Sequence, residues 1–165
     1  ELSAEMLKEW GGEFVCIGHS ERRSIFHEND DVVAKKFHAC LGEKLTPILC
    51  VGETLREREE GCANETVVRQ LKSVFDHLPN SDRNYIVAYE PVWAIGTGKA
   101  ASLETVSEMM SLIRSEIPNE VSLLYGGSVN VQNASGLISI DNVDGFLVGG
   151  VSLKINEFLE VFEQC

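Results

Sequence analysis

The sequence predicts an α/β protein built on a parallel sheet. Short apolar runs alternate with amphipathic stretches along the whole chain, those stretches carry helical spacing, and the apolar runs read as strands buried on both faces. Strands separated by helices connect through right-handed crossovers, which leaves two architectures: an open doubly wound sheet or part of a closed barrel.

Residues 1–10, ELSAEMLKEW, form a helical pattern that enters the first strand, so the chain is expected to begin in mid-fold. The strands follow as EFVCIGH (13–19), PILCVGE (47–53), NYIVAYEP (84–91), VSLLYGG (121–127) and GFLVGG (145–150). Between them Val33, Phe37, Cys40 and Leu41 share one helical face, as do Val67, Leu71, Val74 and Leu78, and then Leu103, Val106, Met110 and Ile113. A last helix runs through Phe158, Leu159 and Phe162. No linker or low-complexity segment divides the chain.

Composition excludes several function classes. The 165 residues are 44% hydrophobic, enough to bury a core, and the net charge of −12 with no basic run argues against nucleic-acid binding. No apolar stretch approaches the ~20 residues that span a bilayer, and no signal segment opens the chain, so a cytosolic protein is expected. The cysteines (Cys16, Cys40, Cys50, Cys62, Cys165) show no C-x-x-C spacing, so reduced, mostly buried thiols and no metal site are expected.

Polar residues collect at the carboxyl ends of the strands: His19-Ser20-Glu21, Gly52-Glu53, Glu90-Pro91, Gly126-Gly127-Ser128 and Gly149-Gly150. That edge of a parallel sheet is where ligands bind, because the strand-to-helix loops gather there. Glu90 stands between an apolar strand and a glycine-bearing loop, where a carboxylate is desolvated when the loop shuts and acts as a general base. The loop, PVWAIGTGKAA (91–101), starts rigidly at Pro91, carries an indole at Trp93 and two glycines at Gly96 and Gly98. Its apolar Val-Trp-Ala-Ile segment, exposed on an open loop, suggests a lid that buries it on closing. His19 sits beside a helix start with Ser20 near the cap, which biases the imidazole toward its neutral form and leaves an N–H to donate to a carbonyl oxygen. The two glycine pairs offer bare backbone amides to phosphate oxygens, as in barrels whose phosphate sites follow the seventh and eighth strands.

These residues resemble the triosephosphate isomerase family. GHSERR (18–23), CVGE (50–53), AYEPVWAIGTGK (88–99), YGGSV (125–129) and VDGFLVGGVSLK (143–154) occur in the family's order and at its spacing. The resemblance covers the whole chain and implies a (β/α)₈ TIM barrel, incomplete here, with residues 1–165 forming one domain that corresponds to strands four to eight. A full barrel takes about 250 residues, so ~85 are unaccounted for, close to three βα units.

Carried over residue by residue, the resemblance makes Glu90 the catalytic base and His19 the electrophilic imidazole. It makes Gly96, Ser128, Gly149 and Gly150 the phosphate contacts, with Glu21 and Cys50 in support. The lid becomes Pro91, Val92, Trp93, Ala94, Ile95, Gly96, Thr97, Gly98, Lys99, Ala100 and Ala101. The implied reaction interconverts dihydroxyacetone phosphate and glyceraldehyde 3-phosphate through an enediolate, with no metal or organic cofactor. The implied setting is a cytoplasmic homodimer in the complete protein, serving glycolysis and gluconeogenesis. The family also uses an Asn and a Lys from its first strand, which has no counterpart in this chain, so the chain alone is expected to bind substrate poorly and to turn it over negligibly. The alternatives are an inactive fragment or split-barrel partner and, with less support, another phosphate-binding barrel enzyme.

Overall fold

The computed structural model describes residues 2–76, 78, 83–95 and 101–165. Along the chain these form α1 (Ala4–Glu9), β1 (Phe14–Ile17), α2 (Ser20–Ile25), α3 (Asp30–Gly42), β2 (Thr46–Val51), α4 (Leu55–Glu59), α5 (Ala63–Phe75) and β3 (Ile86–Tyr89). A 3₁₀ turn (Val92–Ala94), α6 (Leu103–Glu116), β4 (Leu123–Tyr125), α7 (Ala134–Ile138), β5 (Gly145–Phe146), a second 3₁₀ turn (Gly150–Leu153) and α8 (Ile155–Phe162) follow. None of the described helices is long and apolar enough to cross a membrane.

All four strand pairings are parallel, and the order across the sheet is β1-β2-β3-β4-β5. A doubly wound sheet reverses its strand order at a switch point. Here each strand adds to the same edge as the one before, which is the winding of a barrel wall.

Register sorts the side chains into two layers. Leu49, Val87 and Leu123 are paired across the sheet and fully buried, as are Val51, Tyr89 and Tyr125, and all six belong to the core shared with the helices. Cys50, Ala88 and Leu124, one residue along, face the other way, toward the concave side. Side chains of α3 (Val33, Phe37, Cys40), α5 (Val67, Leu71, Val74) and α6 (Val106, Met110, Ile113) close the outer core. These helices start where the sequence can cap them: Asn29 accepts from the Val32 amide, Ser102 from Thr105, and α4 opens with a reciprocal Thr54–Glu57 capping box.

Three expectations are corrected. Strands β1 and β5 are not buried on both faces: Phe14 is 60% exposed and both β5 residues are half-buried, because these strands form the two edges of the described sheet. The last helix forms, yet Phe158, Leu159 and Phe162 are exposed, since α8 rests mainly on the 3₁₀ turn before it. The thiols are not mostly buried, only Cys40 and Cys50 being so, while Cys16 and Cys165 are exposed.

Candidate active site

The carboxyl ends of the strands surround a cavity of about 670 Å³ whose lining includes Cys16, His19, Glu90, Ser128, Gly149 and Gly150. Alternation along β1 would send His19 to the same side as Val15 and Ile17, away from this cavity. Gly18 prevents that. Its φ of 74° lies in the left-handed region, and a Cβ there would lie 2.9 Å from Val33 Cγ1. The left-handed turn re-aims the chain so that His19 joins Cys16 on the concave side.

His19 is itself the N-cap of α2, a place expected for Ser20: its Nδ1 accepts from the Glu21 amide at 3.3 Å. With Nδ1 an acceptor, the proton of the neutral ring sits on Nε2, which lies 2.9 Å from Glu90 Oε1. The other carboxylate oxygen of Glu90 accepts from the Ser20 amide at 3.0 Å. Glu90 is 2% exposed, so both oxygens are held inside the wall of the cavity. The expected drift of His19 toward its neutral form is corrected: the hydrogen bond to the Glu90 carboxylate raises its pKa, burial lowers it, and the charges of Glu90, Glu21 and Cys16 raise it further. Six-residue α2 is too short for its dipole to outweigh a carboxylate in contact.

The neighbours of Glu90 across the sheet make room for it. Its amide donates to Val51 O at 2.7 Å and the Gly126 amide donates to Tyr89 O at 2.7 Å, continuing both ladders past the strand ends. Gly52 and Gly126 therefore flank Glu90, and a Cβ would meet Glu90 O at 1.7 Å from the first and Glu90 Cγ at 3.1 Å from the second.

Behind Glu90, on the outer side, a second carboxylate organises the loop that follows. Glu53 is fully buried, accepts from Trp93 Nε1 at 2.7 Å and from the Tyr89 hydroxyl at 3.2 Å, and has Arg58 Nε at 3.3 Å. The Arg58 guanidinium also lies 5.0 Å from the Trp93 ring centroid. This carboxylate and burial push the Tyr89 hydroxyl pKa up, burial first. The sequence flagged Glu53 as an odd strand ending but gave it no role. The loop's apolar start is thus not exposed as expected: Ala94 is buried, and Val92, Trp93 and Ile95 are half-buried. Of the expected lid, Pro91 to Ile95 and Ala101 are described, whereas Gly96, Thr97, Gly98, Lys99 and Ala100 lie outside the described residues.

Across the cavity, Ser128 Oγ donates to Ala94 O at 2.5 Å and Asn133 Nδ2 donates to Ser128 O at 2.9 Å, tying the loop after β4 to the loop after β3. Gly149 and Gly150 are exposed on the cavity rim, with Lys154 as a nearby cation that the sequence did not single out for this site. Cys50 is buried and its Sγ donates to Ile48 O at 3.9 Å, while the pairing of the Cys16 and Cys50 thiols pushes the Cys50 pKa up and brings that of Cys16 down to about 7. Glu21 reaches the site through its backbone amide. Among the described residues no group of three or more His, Cys, Asp or Glu side chains could hold a metal ion.

A buried carboxylate and an imidazole N–H facing one cavity can take a proton from carbon and polarise an adjacent carbonyl. The sequence model of the triosephosphate isomerase family matches residues 1–165. The chain is 45% identical over 168 residues to a Legionella pneumophila (strain Paris) protein named triosephosphate isomerase, covering 98% of this chain and 68% of that one. Proteins of the same name from Delftia acidovorans (46% over 167 residues; 98% and 67% covered) and Alkaliphilus oremlandii (45% over 170; 98% and 68%) are similar to it to the same degree.

Proposed function

The chain belongs to the triosephosphate isomerase family, and we propose that Glu90 and His19 carry the family's reaction in it. The reaction interconverts dihydroxyacetone phosphate and glyceraldehyde 3-phosphate. The observation that supports these roles is the 2.9 Å contact between His19 Nε2 and Glu90 Oε1 at the cavity wall. A triose whose reacting carbons enter between the two side chains exchanges that contact for two others. Glu90 removes a proton from the carbon next to the carbonyl and returns it to the neighbouring carbon, while the Nε2–H of His19 donates to the oxygens of the enediolate.

The substrate's phosphate is held by Gly96, Ser128, Gly149 and Gly150, with Lys154 as a cation at the rim. Residues 91–101 form the lid, hinged on the Glu53–Trp93 hydrogen bond. Closure excludes water and protects the enediolate from losing its phosphate. The net charge of −12 is compatible with an anionic substrate, because remote charge is screened over ~8 Å and the amides act at contact range. Residues 1–165 form one domain equivalent to barrel strands four to eight. The complete assembly is a cytoplasmic homodimer that acts in glycolysis and gluconeogenesis with no organic cofactor. The extent of the family match favours an isomerase over the inactive-fragment alternative.

The test is conversion of dihydroxyacetone phosphate in a coupled assay by the complete protein, with the first three βα units of the barrel present. Turnover that a phosphate-bearing enediolate mimic inhibits supports this reading, and absence of turnover above buffer contradicts it.

A further inference from the structure

We propose that Gln70, on α5, is a positioning residue that holds the catalytic base in register through the backbone of Gly52. The inference rests on the assignment of Glu90 as the base.

Gln70 occupies a core slot of its helix, between Val67, Leu71 and Val74, and is only 5% exposed. A polar side chain in that slot must find its partners inside. It finds both on one residue: Gln70 Oε1 accepts from the Gly52 amide at 2.8 Å, and Gln70 Nε2 donates to Gly52 O at 3.1 Å. Gly52 lies one residue past the end of β2, and this amide pair continues its hydrogen bonding onto α5.

What Gly52 touches gives the clamp its consequence. The hypothetical Cβ of Gly52 would fall 1.7 Å from Glu90 O and 2.6 Å from Glu90 C, so the two backbones are in direct contact. The residue before it, Val51, accepts the Glu90 amide at 2.7 Å, and the residue after it, Glu53, accepts the Val92 amide at 3.2 Å on its carbonyl and Trp93 Nε1 on its carboxylate. Residues 51–53 are therefore a shelf on which both Glu90 and the start of the following loop rest. Gln70 is the side chain that fastens the middle of that shelf to a helix. Releasing it lets Glu90 shift relative to His19, and a misplacement of about 1 Å costs on the order of 100-fold in rate.

The experiment compares the protein with Gln70→Met, which keeps length and apolar packing but removes both hydrogen bonds, and with Gln70→Glu, which keeps only the acceptor for the Gly52 amide. Two quantities are read: kcat and KM for isomerisation, and the titration of the His19 imidazole by NMR. The expected result for Gln70→Met is a kcat lower by about 10- to 100-fold with KM changed by less than about 3-fold, because the phosphate contacts lie on other loops. The His19 titration moves down toward its ordinary value as the Glu90 carboxylate withdraws, and Gln70→Glu falls between the two. A merely structural glutamine predicts a lower Tm with kcat and the His19 titration unmoved, and that result overturns the proposal. Should Gln70→Met fail to fold, Gln70→Glu alone decides, on the same two readouts. If the unmodified protein does not isomerise but its His19 titration still responds to Gln70→Met, the positioning role stands and the assigned reaction falls.

Discussion

His19 Nε2 donates to Glu90 Oε1 at 2.9 Å while its Nδ1 accepts from the Glu21 amide at 3.3 Å. The second bond fixes the tautomer that the first requires. It also resists a second proton on Nδ1, yet the carboxylate in contact prevails and the imidazole pKa is raised.

A raised pKa in the folded chain means that folding is stabilised most where His19 is protonated in both states, and the sign follows directly. The contribution is fully present below the ordinary value of about 6.5 and is lost as pH rises through the higher folded value. His19→Gln should therefore lower Tm more at about pH 5.5 than at about pH 8.5. An equal loss at both would mean that the imidazole and Glu90 are not coupled in solution.

Cys16 offers a chemical probe of the same cavity. The neighbouring Cys50 thiol, and then the charge of His19, bring its pKa down to about 7 against the opposing effects of burial and of the Glu90 charge. Alkylation mapped by peptide mass should modify Cys16 with a half-maximal rate near pH 7, whereas buried Cys40 and Cys50 react only after denaturation. A rate for Cys16 that climbs only near the free-thiol value of about 8.5 would refute the pairing of the two thiols.

Glu53 is expected to be the anchor of the loop. Removing it with Glu53→Ala leaves Arg58, Trp93 Nε1 and the Tyr89 hydroxyl without their shared acceptor. Breaking a buried ion pair from one side costs about 3–5 kcal/mol, so Tm should fall by several degrees. In a Trp10→Phe background, where Trp93 is the remaining indole, emission should also move to longer wavelength. Unchanged emission with a lowered Tm would show that Glu53 stabilises the core without holding the loop.

Much of this was legible from the sequence, because parallel strands buried on both faces write themselves as unbroken apolar runs and the polar residues at their ends stand out. The central strands, α3, α5 and α6 follow directly from the spacing of Val33–Phe37, Val67–Leu71–Val74 and Val106–Met110–Ile113. Glu90 and His19 stand out in the sequence by position, but the device that brings them together does not. Alternation assigns His19 to the wrong face, and only the positive φ of Gly18 reverses it. Glu53 and Gln70 act through contacts between residues 18 to 40 positions apart, such as Gln70 with Gly52 and Glu53 with Trp93, which no local pattern encodes. The one available signal for Gln70 was a polar residue in a helix slot reserved for the core. Exposure at β1, β5 and α8 depends on what lies beside an element, which its own residues do not state.

The account turns on Glu90 as the base, and exchange of substrate carbon-bound hydrogen with deuterated water reads that step alone. The protein and Glu90→Gln are compared at matched saturation, with binding of the enediolate mimic measured in parallel. The account predicts that Glu90→Gln lowers exchange by about 10²- to 10⁴-fold while the mimic, held through its phosphate, still binds. Exchange within a few-fold of the unmodified protein would contradict it.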